Sequence, residues 1–305
     1  MERHHITLSD NKDLFYRIWK PENGNVLMAV HLLHGMAEHS ERYDRFAAYL
    51  TTLGCVVYAQ DHRGHGMSAK DEDLGWFARS NGWSRVVQDT VEISEMIVRK
   101  YPDIPLFLFG HSMGSFIARS VILEKDSMYR GVIICGTGAS KGFVGKVGRL
   151  IALVRSMLNG GKKPDTLLDT LSFGSFAHQF PDRKTEFDWL SKDEQQVAAY
   201  INDPLCGFIC TSRFFVDLLD GVALANNSSK AKKIRKDLAI LIISGENDPV
   251  GDFGTGVKKV EKLYEGAGLS RITTHLVKGG RHEILNETNY EDVYSFIGTW
   301  LVALR

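Results

Sequence analysis

Phe107-Leu108-Phe109-Gly110-His111-Ser112-Met113-Gly114-Ser115 decides the fold. It joins an apolar run, Ile104 to Phe109, to a helix-like run, Ser115 to Leu123, through a Gly-x-Ser-x-Gly turn. A strand that turns directly into a helix forces its central residue into a strained backbone conformation. The positions two residues away must then be nearly free of side chain. The result is a Ser112 hydroxyl presented at a helix N-terminus, where free N–H groups and the macrodipole favour developing negative charge. A chain with 29 glycines can match the pattern by chance in a tight surface turn. The flanking strand and helix are therefore what carry the reading.

Outward from this turn the chain alternates. Val26 to Leu33 is a continuous apolar run broken only by His31, as in a strand buried on both faces. Tyr43, Phe46, Leu50 and Leu53 share a helical face, with Ser40 as the expected cap and Gly54 as the stop. Cys55 to Ala59 is the next strand. Trp83, Val86, Val87, Ile93 and Ile97 mark a long helix, and Gly131 to Cys135 a further buried strand. At the start, Ile6 to Leu8 and Leu14 to Trp19 read as two strands around a Ser9-Asp10-Asn11-Lys12 turn. This spacing implies right-handed parallel crossovers, and so an α/β fold with a mostly parallel, doubly wound sheet.

The rhythm breaks after Gly136. It resumes with a strand at Leu238 to Ile243, a helix at Val257 to Tyr264, a strand at Arg271 to Val277 and a helix at Tyr290 to Leu301. Between them Gly160-Gly161, Pro164, Pro181 and Pro204 separate helix-like stretches without a convincing buried strand. The simplest organisation is a core of residues 1–136 and 237–305 carrying an inserted helical segment, 137–236.

With 305 residues, 44% of them hydrophobic, the chain can bury a large core. Lys plus Arg and Asp plus Glu number 37 each, so no basic excess points to nucleic acid. Cys55 and Cys135 sit in strand-like runs as core thiols. Cys206 and Cys210 have no His or Cys pair beside them at metal spacing, so no metal is expected. Met1 to Asp10 is polar, without the apolar stretch of a signal peptide. No apolar run approaches the roughly 20 residues of a membrane span, and a soluble cytoplasmic protein is expected.

A serine hydroxyl needs a base, and the base an orienting acid. The strand ending at Ile243 leads into Ser244-Gly245-Glu246-Asn247-Asp248-Pro249-Val250. The strand ending at Val277 leads into Lys278-Gly279-Gly280-Arg281-His282-Glu283. Loops after parallel strands open on one edge of the sheet, so Ser112, Asp248 and His282 can converge. Among the 11 histidines, His111 adjoins the serine on a turn and points away. His34, His62 and His65 lie in loops, and His275 lies within a strand; His282 alone follows the last strand. Glu246 and Asp252 compete with Asp248, which Pro249 holds extended. An oxyanion needs two backbone donors. The expected ones are the N–H of Met113 and that of Met36 in His34-Gly35-Met36, where Gly35 permits close approach.

Several stretches together resemble the monoacylglycerol lipase and lysophospholipase group of α/β-hydrolases. They are His34-Gly35-Met36-Ala37-Glu38-His39, Asp61-His62-Arg63-Gly64-His65-Gly66, Gly110-His111-Ser112-Met113-Gly114, Asp248-Pro249-Val250 and Gly280-Arg281-His282-Glu283. Asp203-Pro204-Leu205-Cys206-Gly207-Phe208 is similar to a motif of the bacterial members. The resemblance implies an α/β-hydrolase fold with a helical cap, Ser112, Asp248 and His282 as a catalytic triad, Met36 and Met113 as oxyanion donors, and no cofactor. It is weakest from about 140 to 200, the part that would form the cap and select a substrate.

The expected activity is hydrolysis of a small-molecule carboxylic ester, a monoacylglycerol or lysophospholipid-type single-chain acyl ester, through an acyl-enzyme on Ser112. Small aryl or acetyl esters are the second reading, and a binding module that has kept the fold is the third. Phe143, Val147, Leu150, Ile151, Val154, Met157 and Leu158 share one helical face, opposite Gly145, Gly148, Ala152 and Ser156. That face either packs on the core or forms a lid that lines an acyl pocket or touches lipid surfaces. Phe173, Phe176, Phe180, Phe208, Phe214 and Phe215 line such a pocket or fill the interior of the insertion.

Overall fold

The structure, a computed structural model, describes residues 1–305. Its strands are β1 (Glu2–Thr7), β2 (Asp13–Trp19), β3 (Met28–Leu33), β4 (Cys55–Gln60), β5 (Leu106–His111), β6 (Gly131–Cys135), β7 (Ala239–Gly245) and β8 (Ile272–Val277). They form one sheet in the order β1-β2-β4-β3-β5-β6-β7-β8. From β4 across to β8 every pairing is parallel, and the β1–β2 hairpin joins antiparallel at the β4 edge. The helices are α1 (Asp44–Thr52), α2 (Gly82–Lys100), α3 (Met113–Lys125), α4 (Gly142–Leu158), α5 (Thr166–Phe173), α6 (Glu194–Asn202), α7 (Ser212–Ala225), α8 (Ser228–Ala231), α9 (Thr255–Gly266) and α10 (Tyr290–Leu304).

β3, β4, β5, β6 and β7 are buried along their whole length, which explains their unbroken apolar sequences. One face of the sheet packs on α2, α3 and α9, the other on α1 and α10. The strand order reverses direction around β3: β4 lies on one side of it and β5 on the other. The loops leaving β3 and β5 therefore diverge at a switch point, where such sheets open a crevice.

One local expectation is corrected. Ser40 does not cap α1. Its N–H donates to Asp61 Oδ1 and its hydroxyl accepts from Arg17, so a 3₁₀ turn at Ser40–Tyr43 precedes a helix that starts at Asp44. The long-range pair outweighs the local cap because both Arg17 and Asp61 are buried.

Of the two readings of the α4 apolar face, packing on the core is not the one adopted: Phe143, Met157 and Leu158 are 79%, 73% and 80% exposed. The small-residue face packs instead, with Ala152 buried and Gly148 against Leu219 of α7. Side chains this small let two helices approach closely, and α7 in turn lies on α2 and α3.

Arg119 of α3 ties both stems of the inserted segment to the core. It is fully buried without a carboxylate partner, and burial shifts it downward from the usual arginine range. It donates to Thr137 Oγ1 (3.1 Å) and the Gly138 carbonyl (2.9 Å) at the start of the segment. Near the end it donates to the Ala225 carbonyl (3.0 Å) and Asn226 Oδ1 (2.8 Å). Arg119→Met leaves those acceptors buried and unpaired and should destabilise the protein by about 1–3 kcal/mol. Urea unfolding measures this; an unchanged midpoint would show that the stems are held by packing alone.

Candidate active site

Ser112 stands between β5 and α3 with φ 52° and ψ −118°. A positive φ at a non-glycine residue of this kind costs about 1–3 kcal/mol and persists only where the surroundings over-determine it. Here they do. A Cβ on Gly110 would lie 2.2 Å from the Gly114 carbonyl oxygen, and one on Gly114 would lie 2.3 Å from that of Leu33. The Ser112 N–H donates to the Cys135 carbonyl (2.9 Å), and the Ser115 hydroxyl donates to the Ser112 carbonyl (2.6 Å).

His282 and Asp248 meet as expected. His282 Nδ1 lies 3.0 Å from Asp248 Oδ1, and both side chains are buried. The Ser244 hydroxyl donates to Asp248 Oδ2 (2.9 Å) and the Val250 N–H to Oδ1 (2.9 Å). Burial would raise the Asp248 carboxyl, but the adjacent His282 ring and these hydrogen bonds hold it below its ordinary value. The carboxylate thus faces Nδ1, and Nε2 makes no hydrogen bond to the protein. Gly136, at φ 60°, backs the imidazole; a Cβ there would sit 3.1 Å from His282 Cε1. The Ser112 hydroxyl makes no hydrogen bond to His282 here, as is common for such pairs before a substrate tightens the geometry.

The rivals are used elsewhere. Glu246 is exposed and accepts from the Gly279 N–H (3.2 Å), while Asp252 pairs with Lys141. His34 Nε2 accepts from the His62 N–H (2.9 Å). Burial pushes His34 down to about 3, and His31 and His65 to about 4, so they are neutral packing groups. His275 stacks on Phe296.

Gly35 lies against the serine: a Cβ there would be 3.2 Å from Ser112 Cβ and 2.7 Å from Glu38 Oε1. The N–H groups of Met36 and Met113 donate to no protein acceptor, whereas the Gly35 N–H is taken by Glu38 (2.5 Å). Two free donors thus flank Ser112 from the loop after β3 and from the first turn of α3.

Sequence reasoning missed the buried network behind this loop. Arg42 donates to Glu38 Oε2 (2.5 Å) and makes a two-point contact with Glu283 (2.6 and 2.7 Å). The Tyr43 hydroxyl bridges Glu38 Oε1 (2.7 Å) and His111 Nδ1 (2.9 Å). The residue before the serine, the residue after the histidine and the loop carrying Met36 are thereby joined. Only the four-residue spacing of Glu38 and Arg42 hinted at this. Burial would raise the Glu38 carboxyl, yet Arg42 and then His111 hold it well below its ordinary range. Arg42 likewise overcomes burial at Glu283.

The inserted segment also reaches the site. The Gly207 N–H (2.9 Å) and Tyr200 hydroxyl (3.0 Å) donate to the carbonyl of Ala37, itself at φ 51°. The His282 and Glu283 N–H groups donate to the carbonyls of Trp189 (3.3 Å) and Leu190 (2.7 Å). The Trp189 ring lies 5.0 Å from that of His282, with Phe176 and Phe173 behind it. Phe214 and Phe215 are fully buried in the core instead.

Residues 24–289 match the family described as serine aminopeptidase, S33. The chain belongs to this family. It is a serine hydrolase in the monoacylglycerol lipase-like group of α/β-hydrolases. The mouse monoglyceride lipase is 28% identical over 92% of this chain and 88% of its own length. The Mycolicibacterium smegmatis monoacylglycerol lipase is 23% identical over 95% and 93%. Among solved structures, a thermostable carboxyl esterase from Bacillus coagulans superposes with a TM-score of 0.90 at 28% identity, covering 100% of this chain and 99% of that one.

The Arg42 network generates a pH-dependent prediction. Glu38 and Glu283 have depressed folded-state values, so their contribution is present above about pH 4.5 and lost as the pH falls through the folded values. Arg42→Met leaves two buried carboxylates unpaired and should cost about 3–5 kcal/mol near neutrality. The deficit should narrow in acid, where those carboxyls are protonated. Urea unfolding across pH measures this, and a deficit independent of pH would rule out the charged pairing.

Proposed function

We propose that this chain hydrolyses single-chain acyl esters of the monoacylglycerol type by way of an acyl-enzyme on Ser112. The carrying observation is one constellation: a strained Ser112, a buried His282–Asp248 pair, and free N–H donors at Met36 and Met113. In this reading His282 Nε2 takes the Ser112 proton as Oγ attacks the ester carbonyl. Asp248 orients the imidazole and stabilises its charged form. The two N–H groups receive the carbonyl oxygen as it becomes an oxyanion. His282 returns the proton to the departing glycerol oxygen, then activates water to cleave the acyl-enzyme. Hydrolysis of peptides at a free amino terminus is disfavoured because Glu38 and Glu283, the buried carboxylates beside the site, are both engaged by Arg42. They are not free to receive a peptide's amino terminus.

The substrate class rests on the monoglyceride lipases among the relatives and on the inserted segment, residues 137–236, as a cap. Trp189, Phe176 and Phe173 supply an apolar wall beside His282. The exposed apolar face of α4, with the exposed Lys146 on the same helix, suits brief contact with a lipid surface from which an acyl ester is drawn. No helix is long and apolar enough to cross a membrane. Small esters are the second reading, favoured by the similarity to a carboxyl esterase. Lysophospholipids share the single acyl chain.

Ser112→Ala and His282→Ala should each lower kcat on a monoacylglycerol by about 10⁴-fold or more, and the double variant by little beyond that, because the residues act as a unit. Losses that multiply in the double variant would refute the assignment of His282. Replacing Ile151 and Val154 by Asp should reduce turnover of long-chain monoacylglycerol by about tenfold or more, from roughly 1–3 kcal/mol per lost apolar contact. Turnover of a soluble acetyl ester should be unaffected. Equal loss on both substrates in a folded protein would remove α4 from acyl recognition.

A further inference from the structure

The free N–H of Met36 is flanked along the chain by two carbonyls, those of Gly35 and Ala37, and each is held by a hydrogen bond. The Gly35 carbonyl belongs to the same peptide group as that N–H. It lies 2.7 Å from His34 Nδ1. Because His34 Nε2 accepts from the His62 N–H, Nδ1 carries the ring proton and donates it to this carbonyl. Downstream, Ala37 is buried with φ 51°. Both hydrogen bonds to its carbonyl come from the inserted segment. They are donated by the Tyr200 hydroxyl (3.0 Å), in the last turn of α6, and by the Gly207 N–H (2.9 Å) beyond it. We propose that Tyr200 is a positioning residue for the oxyanion: by holding the Ala37 carbonyl it keeps the Met36 N–H in place beside Ser112. This inference rests on the acyl-enzyme reading above and makes the inserted segment a contributor to the chemical step.

Three observations support it. Ala37 is a non-glycine residue in the left-handed region, a conformation that persists only where outside contacts over-determine it. A buried carbonyl deprived of a donor swings toward another, and the backbone on either side turns with it. Second, the hydroxyl is itself fixed. The Tyr200 ring lies under the Arg42 guanidinium, 4.8 Å from the ring centre, and against Phe187, with 5.2 Å between centres. Gly207 packs on the same ring; a Cβ there would lie 3.4 Å from Tyr200 Cε1. The two donors therefore act as one clamp. Third, the same segment grips the loop again two residues on, where His39 Nε2 lies 2.8 Å from Asp203 Oδ2. Since the Tyr200 proton is committed to the Ala37 carbonyl, the hydroxyl is not free to donate to a substrate. A displaced oxyanion donor stabilises the transition state less and leaves the bound ester almost unaffected, so the effect falls on kcat and spares KM.

Tyr200→Phe deletes the hydroxyl and keeps the ring. It should lower kcat by about tenfold, a part of the roughly 10²–10³-fold that losing a whole oxyanion donor costs, with KM within about twofold of wild type. The loss should be equal on a long-chain monoacylglycerol and a soluble acetyl ester, because both form the same oxyanion. Affinity for a trifluoromethyl ketone, whose carbonyl becomes an oxyanion when Ser112 adds to it, should fall by the same factor. Exhaustive fluorophosphonate labelling counts competent sites, so each kcat is expressed per folded molecule. An unchanged kcat overturns the proposal, as does a lower kcat with the ketone affinity intact. A loss confined to monoacylglycerol, with KM raised, also overturns it and makes Tyr200 a contact for the substrate's head group. Failure of the acyl-enzyme reading shows separately, as acetyl esterase activity that survives Ser112→Ala in protein with Tyr200 unchanged.

Discussion

The rest of the site depends on a steric constraint at one turn. β5 must become α3 within a single residue, so Ser112 takes a backbone conformation that a side chain normally avoids. The Gly114 carbonyl occupies the space that a Cβ at Gly110 would need. The Leu33 carbonyl does the same at Gly114. Those contacts join β5, α3 and the end of β3, which are adjacent because the strand order reverses there. The strain is thus maintained by the most deeply buried part of the sheet, where it can be held without relaxing.

A second constraint is electrostatic. Arg42 stands between Glu38 and Glu283 in a region with little water, where each charge would be costly alone. Its position joins three loops that no backbone pairing joins. The loop after β3 carries the free Met36 N–H, the turn after β5 carries Ser112, and the loop after β8 carries His282. The inserted segment is fastened to two of these loops through Ala37, His282 and Glu283. It is therefore part of the site's frame. Its two parts differ: residues near Trp189, Tyr200 and Gly207 are bonded to the site loops, while α4 turns its apolar face to solvent.

Much was legible in sequence because the governing physics was local. Strands buried on both faces must be apolar throughout, a sharp strand-to-helix turn demands glycine two residues away, and loops after parallel strands share one edge. These rules were enough to expect the α/β fold, an inserted helical segment at 137–236, and the pairing of His282 with Asp248. The same reasoning placed Glu246 and the loop histidines outside the proposed triad.

The remainder depended on contacts between residues far apart in the chain. Ser40 looked like a helix cap, but a buried Arg17–Asp61 pair claimed it. The face that α4 buries was decided by α7, whose close approach only small side chains permit; periodicity shows that a helix has two faces but not which neighbour each will meet. Glu38, Glu283 and Arg42 became one network, and Ala37, Tyr200 and Gly207 one clamp, only when the loop after β3 met the inserted segment. Patterns with a period reveal elements because every turn or pleat repeats them. Single long-range pairings have no period, so only the folded chain shows which of them form.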